Sequence, residues 1–348
     1  ERVIHFGLIP RSHRCIFVIN ELPDLQARIQ VSLFNILQEG DIQIRGFKVR
    51  LPLDIQFVFT ANPEDYTNRG SIVTPLKDRI DSQILTHYPK STEIGKKITK
   101  QEAKVKPEQG QSITMHHLLE DLIEQIAVEA RSSEFVDAKS GVSARLTIAA
   151  YENLMSAAER RILINNEKQT VVRIGDLWGI IPAITGKIEL VYEGEQEGPY
   201  IVAQNLVGKA IRTLFLQYFP DPEKSKKQQK DKANNPFYKI TNWFGDGNTL
   251  DLLNDISNKE YKDNLLKVNG LQELVNNTHK SSDDHTKLLL MEFALHGLSE
   301  FSQISRGNLS KGLQFKDLLS SMFSGSNFGN DDDDFNDDDE FTSRRKKF

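Results

Sequence analysis

Cys15-Ile16-Phe17-Val18-Ile19-Asn20-Glu21 and Ile55-Gln56-Phe57-Val58-Phe59-Thr60-Ala61-Asn62-Pro63 are the two stretches that decide the fold. The first is apolar without alternation from Cys15 to Ile19, the pattern of a strand buried on both faces. The second is a further buried strand. Each ends on a polar residue, Asn20-Glu21 in one and Asn62 in the other. Two such strands suggest a parallel sheet with a nucleotide site at its carboxyl edge. The segment between them has the length and pattern of a helix plus a hairpin.

Working outward, Leu25, Ile29, Leu33, Ile36 and Leu37 share one face of a helix, with Gln26, Arg28 and Gln30 opposite. Glu39-Gly40 ends it. Ile42, Ile44, Phe47, Val49 and Leu51 alternate with polar residues around Gly46, a β-hairpin pattern. Pro63 to Ser71 is polar and turn-rich, Pro75 to Gln83 reads as a short helix, and Ile84 to Tyr88 as another strand. Ser91 to Gln111 is charged and broken by Gly95, Pro107 and Gly110, a partly helical linker. Thr114 to Arg131 and Ser143 to Ile164 carry i, i+3, i+4 apolar spacing, with Ser112 and Ser143 as N-caps. Val171 to Gly179 and Gln204 to Tyr218 read as further helices; Gly186 to Gly198 fits no pattern. Pro220 to Asn235 has the composition of a disordered segment. Phe237 to Phe323 holds short amphipathic helices such as Leu288 to Phe301. Gly325 to Phe348 is a low-complexity tail.

The 348 residues suffice for two or three domains, and the net charge is −5. Most of the imbalance lies in Asp331 to Glu340, followed by basic Arg344 to Lys347. The near-neutral body argues against a general nucleic-acid binder. Cys15 is the only cysteine, so no intrachain disulfide forms and a reducing compartment is expected. In a buried strand it reads as a small packed apolar residue. No signal peptide and no long uncharged apolar run is present, and a cytoplasmic location is expected. The chain begins at Glu1 without a methionine, and the pattern there reads as the inside of a domain.

Four residues carry candidate chemistry. Glu21, at the tip of a strand, would project over the sheet edge and polarise a water; the plain alternative is a solvated strand-end carboxylate. Asn62 could hold that water or a phosphate from the neighbouring strand, although Asn before Pro is also a common turn residue. Arg79, in Pro75-Leu76-Lys77-Asp78-Arg79-Ile80-Asp81, could reach a neighbour's phosphate or simply pair with Asp78 or Asp81. Arg145 lies in the first turn of a helix, where a cation opposes the helix dipole, so an anionic ligand would explain it. His116-His117, adjacent on one helix, make a poor metal pair. Arg45, Lys48 and Arg50 line the hairpin, either to meet an acidic partner or nucleic acid or as a solvated strand face.

In their order along the chain, these elements resemble the AAA+ ATPases, in particular magnesium chelatase ATPase subunits and MoxR-like proteins. The resemblance runs from about Gly7 to Phe219. Gly7-Leu8-Ile9-Pro10-Arg11-Ser12-His13-Arg14 is similar to the segment before the Walker B strand, here Cys15 to Glu21. Leu37 to Gly40 and the hairpin to Pro52 are similar to the insertion that marks this clade. The resemblance implies that Asn62 is sensor 1, Arg79 the arginine finger and Arg145 sensor 2. It also implies ATP and Mg²⁺ as cofactors, with Asn20 and Arg145 at the nucleotide and Asn20 reaching the metal weakly through water. A ring of identical subunits, often a hexamer, and a partner with a von Willebrand A-type domain follow from the same likeness.

Two departures accompany it. Walker B ordinarily reads Asp-Glu, and Asn20 supplies an oxygen without charge, which lowers metal affinity. No Gly-x-x-x-x-Gly-Lys-Ser/Thr occurs in the chain; Gly186-Lys187 lacks its spacing and its preceding strand. In the family that loop lies upstream, so the expectation is a fragment without Walker A and without activity alone. The expected class is α/β. A partial AAA+ core spans 1–89, a linker 90–111, an α-helical lid 112–219 and a disordered linker 220–236. A small helical region of 237–323 and a poorly ordered tail of 324–348 follow. The resemblance implies ATP bound between core and lid and hydrolysed to remodel a protein partner. Two alternatives stand beside it: a hydrolysis-poor subunit that binds nucleotide to assemble, and a σ54-type transcription regulator, whose Gly-Ala-Phe-Thr-Gly-Ala loop is absent here.

Overall fold

The computed structural model describes residues 5–43, 50–62, 71–227, 235–280, 282–309 and 311–318. Arg45 and Lys48 of the hairpin, Pro63 and the acidic tail lie outside these residues. The chain divides into two compact units, Glu1–Tyr88 and Pro89–Phe348. Together they make a mixed α/β chain: a partial parallel core, then a largely helical body.

In the first unit α1 (Leu8–Arg11) leads to β1 (Ile16–Ile19), a 3₁₀ turn (Leu22–Asp24), α2 (Ala27–Ser32) and α3 (Phe34–Glu39). Then come β2 (Asp41–Gln43), β3 (Arg50–Pro52), β4 (Gln56–Phe59) and α4 (Thr74–Lys77). β1 and β4 pair in parallel, Ile16 opposite Gln56 and Ile19 opposite Phe59; β2 and β3 form the antiparallel hairpin stem. The helix expected from Leu25 to Leu37 is broken at Leu33. There the Ser32 hydroxyl donates to the Ile29 carbonyl, and the Leu33 N–H bonds back only three residues to Gln30. A serine that takes its own helix's carbonyl bends the ladder. Gly40, at φ +63°, ends α3 in the left-handed conformation that glycine adopts without steric cost.

Leu22, Leu33, Ile36 and Leu76 form the core of this unit, with Ile19, Phe57 and Phe59 packed on it. The expectation that β1 is buried on both faces is not met. Ile16 is 70 % exposed, Val18 53 % and Val58 42 %, so one sheet face is open. Cys15 precedes the strand and is exposed, not packed as expected. Ile84 to Tyr88 forms no strand, and Ile84 is exposed.

The second unit begins with α5 (Thr92–Glu102), α6 (Pro107–Ser112), β5 (Ile113–Thr114) and α7 (His117–Ser132). α8 (Arg145–Asn165), β6 (Thr170–Val171), a 3₁₀ helix (Ile174–Ile180), α9 (Ile181–Thr185), α10 (Tyr192–Glu197) and α11 (Pro199–Tyr218) follow. Next come α12 (Pro222–Lys227), α13 (Tyr238–Gly245), β7 (Leu250–Leu253), α14 (Asn258–Leu266), α15 (Leu271–Thr278) and α16 (Asp284–Glu300). β8 (Ser305–Leu309) and β9 (Gly312–Lys316) complete an antiparallel sheet of order β7-β9-β8. One continuous core runs from Ile113 through α7, α8, α11 and α16 to Phe315. The residues of 237–318 therefore share their core with those of 112–219.

Buried polar groups fasten this core. Arg161 donates to both carboxylate oxygens of Asp176, at 2.6 and 3.1 Å, and to the Val171 carbonyl. Glu292 of α16 accepts from the N–H groups of Ile174 and Gly175 at 2.8 and 3.0 Å and from the Tyr261 hydroxyl at 2.8 Å. It thereby receives the free donors at the start of the 3₁₀ helix. Burial pushes the Glu292 carboxyl up, and the hydroxyl of Tyr261 pulls it back. α16 crosses α11 at Gly297, where a Cβ would collide with the Phe215 ring; at Gly208 of α11 a Cβ would meet the Glu300 carboxylate. His116, not Ser112, caps α7, with Nδ1 accepting from the Leu118 N–H at 3.2 Å.

Candidate functional site

The carboxyl ends of β1 and β4 are tied by one residue that sequence reasoning passed over, Thr60. Its N–H donates to the Ile19 carbonyl at 3.0 Å and its carbonyl accepts from the Leu22 N–H at 2.9 Å, which continues the parallel ladder past the strands. Its hydroxyl donates to Asn20 Oδ1 at 3.3 Å and accepts from the Glu21 N–H at 3.1 Å. The signal was a hydroxyl residue directly before Ala61-Asn62, at the height of the opposite strand's polar end.

Glu21 stands at φ +51°, ψ +56°, in the left-handed region, where a side chain with a Cβ is disfavoured. Holding a non-glycine residue there costs on the order of 1–2 kcal/mol. The hydrogen bonds from Glu21 and Leu22 to Thr60 keep it there. The chain turns sharply after Asn20, and the Glu21 side chain is left exposed at the strand tip. Asn62 lies two residues beyond Thr60, also exposed. Asn20, Glu21 and Asn62 thus come from the same end of the two paired strands.

Arg79 is placed in the same unit but is bound to a different element. It follows α4, half-buried, with its guanidinium 5.0 Å from the centroid of the Phe34 ring. Nε and Nη2 donate to Gln38 Oε1 at 3.0 and 2.7 Å, and Nη1 donates to the Pro75 carbonyl at 2.7 Å. Among the described residues it pairs with neither Asp78 nor Asp81, the surface ion pair that its sequence setting offered. Arg145 belongs to the second unit. It opens α8, its N–H donates to the Ser143 hydroxyl at 3.2 Å, and its side chain is exposed. Arg50 of the hairpin stem forms an exposed ion pair with Asp41 at 3.4 Å.

The donor set is poor for a divalent cation. The strand tips offer one carboxylate, Glu21, with amides beside it, and Asn20 Oδ1 already accepts from Thr60. No group of three His, Cys, Asp or Glu side chains able to hold a metal occurs among the described residues. These residues do not fit Mg²⁺ by themselves. The His116 and His117 rings lie 3.9 Å apart, tilted by 38°, and His117 lies against Tyr218; they serve packing and capping. Among the described residues no helix is long and apolar enough to cross a membrane.

No protein-family profile matches the chain, and no curated protein does. Among solved structures it is similar to a protein of Cytophaga hutchinsonii described as a candidate ATPase, at 19 % identity and a TM-score of 0.23. That likeness covers 55 % of this chain, which spans 64 % of the other's length.

Proposed function

We propose that the chain is part of a cytoplasmic ATPase of the AAA+ type, similar to magnesium chelatase ATPase subunits and MoxR-like proteins. The observation that carries the reading is the linkage of the two strand tips through Thr60, with Glu21 held in a strained conformation. A costly backbone position at a sheet's carboxyl edge, braced from the neighbouring strand, is what a group held for chemistry requires. In this reading Glu21 orients and polarises a water, and Asn62 holds the water or the terminal phosphate from the other strand. Arg79 answers the developing charge on a neighbouring subunit's phosphate. Arg145 is carried as a phosphate sensor. ATP supplies the phosphoryl group; its other phosphates would need a glycine-rich loop that this sequence does not contain. A homo-oligomeric ring, often a hexamer, acting on a protein that has a von Willebrand A-type domain completes the proposal.

The decisive test is Glu21→Gln in the full-length protein, with phosphate release and nucleotide binding measured together. Turnover should fall at least about a hundredfold while binding persists, since the amide preserves shape and removes the base. Equal phosphate release by variant and wild type would overturn the catalytic assignment. One observation favours a second reading, a nucleotide-dependent assembly subunit that hydrolyses poorly. Asn20 is uncharged, and its oxygen is already engaged by Thr60. Nucleotide-driven assembly without measurable turnover would select it.

A further inference from the structure

We propose that Gln38 is a positioning residue for Arg79, and that it serves because it is neutral. This rests on the reading that Arg79 answers a phosphate. Among the described residues, every group that holds the guanidinium is uncharged: the Gln38 side-chain oxygen, the Pro75 carbonyl and the Phe34 ring. Asp78 and Asp81 flank Arg79 in sequence, yet neither forms an ion pair with it among the described residues. Either carboxylate could have neutralised this half-buried arginine. Here the orientation is fixed while the full positive charge is kept.

The hydrogen-bond count leads to the same place. A guanidinium carries five N–H groups. Three are used, one each from Nε, Nη1 and Nη2, so one N–H remains on each terminal nitrogen. Those two N–H groups are left for the oxygens of a phosphate. The aromatic face adds a further restraint that does not consume charge. The rotamer entropy that a free arginine would lose on meeting its anion is largely removed beforehand. A glutamate at position 38 would hold the same geometry and cancel the charge. An alanine would keep the charge and release the geometry.

The experiment compares Gln38→Glu, Gln38→Ala and Arg79→Ala in the full-length protein, by turnover, KM for ATP and thermal midpoint. A purely structural staple between α3 and the turn after α4 would leave Gln38→Glu as stable as wild type and fully active. The proposal expects Gln38→Glu to be as stable but to lose at least about tenfold in kcat with little change in KM. Gln38→Ala should lose kcat as well. Its Arg79 should also react faster with phenylglyoxal, read by mass spectrometry, which needs no turnover. Wild-type kcat in Gln38→Glu together with a deficient Arg79→Ala would overturn the role of Gln38 alone. Full activity of Arg79→Ala would overturn the assignment of Arg79, and the proposal with it. Equal phenylglyoxal rates in wild type and Gln38→Ala would overturn the contact itself.

Discussion

Thr60 and Gln30 show how much a single polar side chain can organise. Gln30 was expected on the solvated face of its helix; it is 1 % exposed. Its amide donates to the carbonyls of Leu25 and Ser71 and accepts from the Val73 N–H at 2.9 Å, fastening the approach to α4 against α2. Periodicity could not reveal this, because an amide that satisfies backbone groups is as polar in sequence as one in water. Thr60 was equally hidden, since its partners lie 39 and 40 residues away. Thr60→Val keeps the shape of the side chain and removes both hydrogen bonds. The Glu21 N–H then loses its acceptor, at a cost of about 1 kcal/mol. Phosphate release by the full-length protein should fall, and amide exchange at Glu21 should quicken. Unchanged values of both would mean that the clamp is incidental.

Among elements, the legible ones were those whose pattern depends on few neighbours. β1 and β4 could be read as strands of a parallel pair from their short apolar runs with polar ends, although one face of that pair is open. α8 could be read from its 3.6-residue apolar spacing, whereas Leu288 to Phe301, read as amphipathic, belongs to a helix buried on every side from Leu289 to Leu298. The β7-β9-β8 sheet was missed. Ser305-Arg306-Gly307-Asn308-Leu309 has no alternation, and these strands exist because Phe315 and Leu313 anchor the central one in the core. Val171 to Gly179 was read as a helix and is a short strand followed by a 3₁₀ helix. The cause is distant: Glu292, more than a hundred residues on, accepts the first N–H groups. Glu292→Gln tests this capping. Glutamine offers one acceptor oxygen where glutamate offers two, so one buried N–H is left facing an NH₂ group. Chemical denaturation should show a loss of about 1–3 kcal/mol with an unchanged denaturant slope. Wild-type stability would show that the carboxylate is not needed there.

At the scale of the whole molecule, the histidines tie stability to pH. Burial, and then the neighbouring His117, pushes His116 down to about 4. His296 is fully buried and is pushed well below its ordinary value, first by burial and then by the Arg306 guanidinium. Neither of its ring nitrogens has a hydrogen-bond partner among the described residues, and Glu292 Oε1 stands 3.9 Å from Nε2. The unfolded chain takes up a proton near pH 6.5 that these folded sites refuse. Their contribution is therefore complete above that value and is lost as pH falls below it, toward about 4 for His116. The thermal midpoint should drop across this window. His116→Asn keeps a side-chain acceptor at the cap and cannot titrate, so its curve should be flatter, with His296 supplying the remainder. An identical pH profile for variant and wild type would show that the cap does not titrate. The common strand-tip placement of Asn20, Glu21 and Asn62 was legible in the sequence, but not the side chain that links the tips. Thr60 and Gln38 carry no motif, and their importance comes from what they hold.

The crossing of α11 and α16 carries a consequence for descent. Position 297 leaves no room for a methyl group while position 215 holds phenylalanine, whereas at position 208 only the movable end of the Glu300 side chain stands in the way. Any lineage that enlarges position 297 has to shrink position 215, or let the two helices part. Substitutions there should arrive in pairs through history, and a solitary one would mark a branch whose helical body is assembled differently.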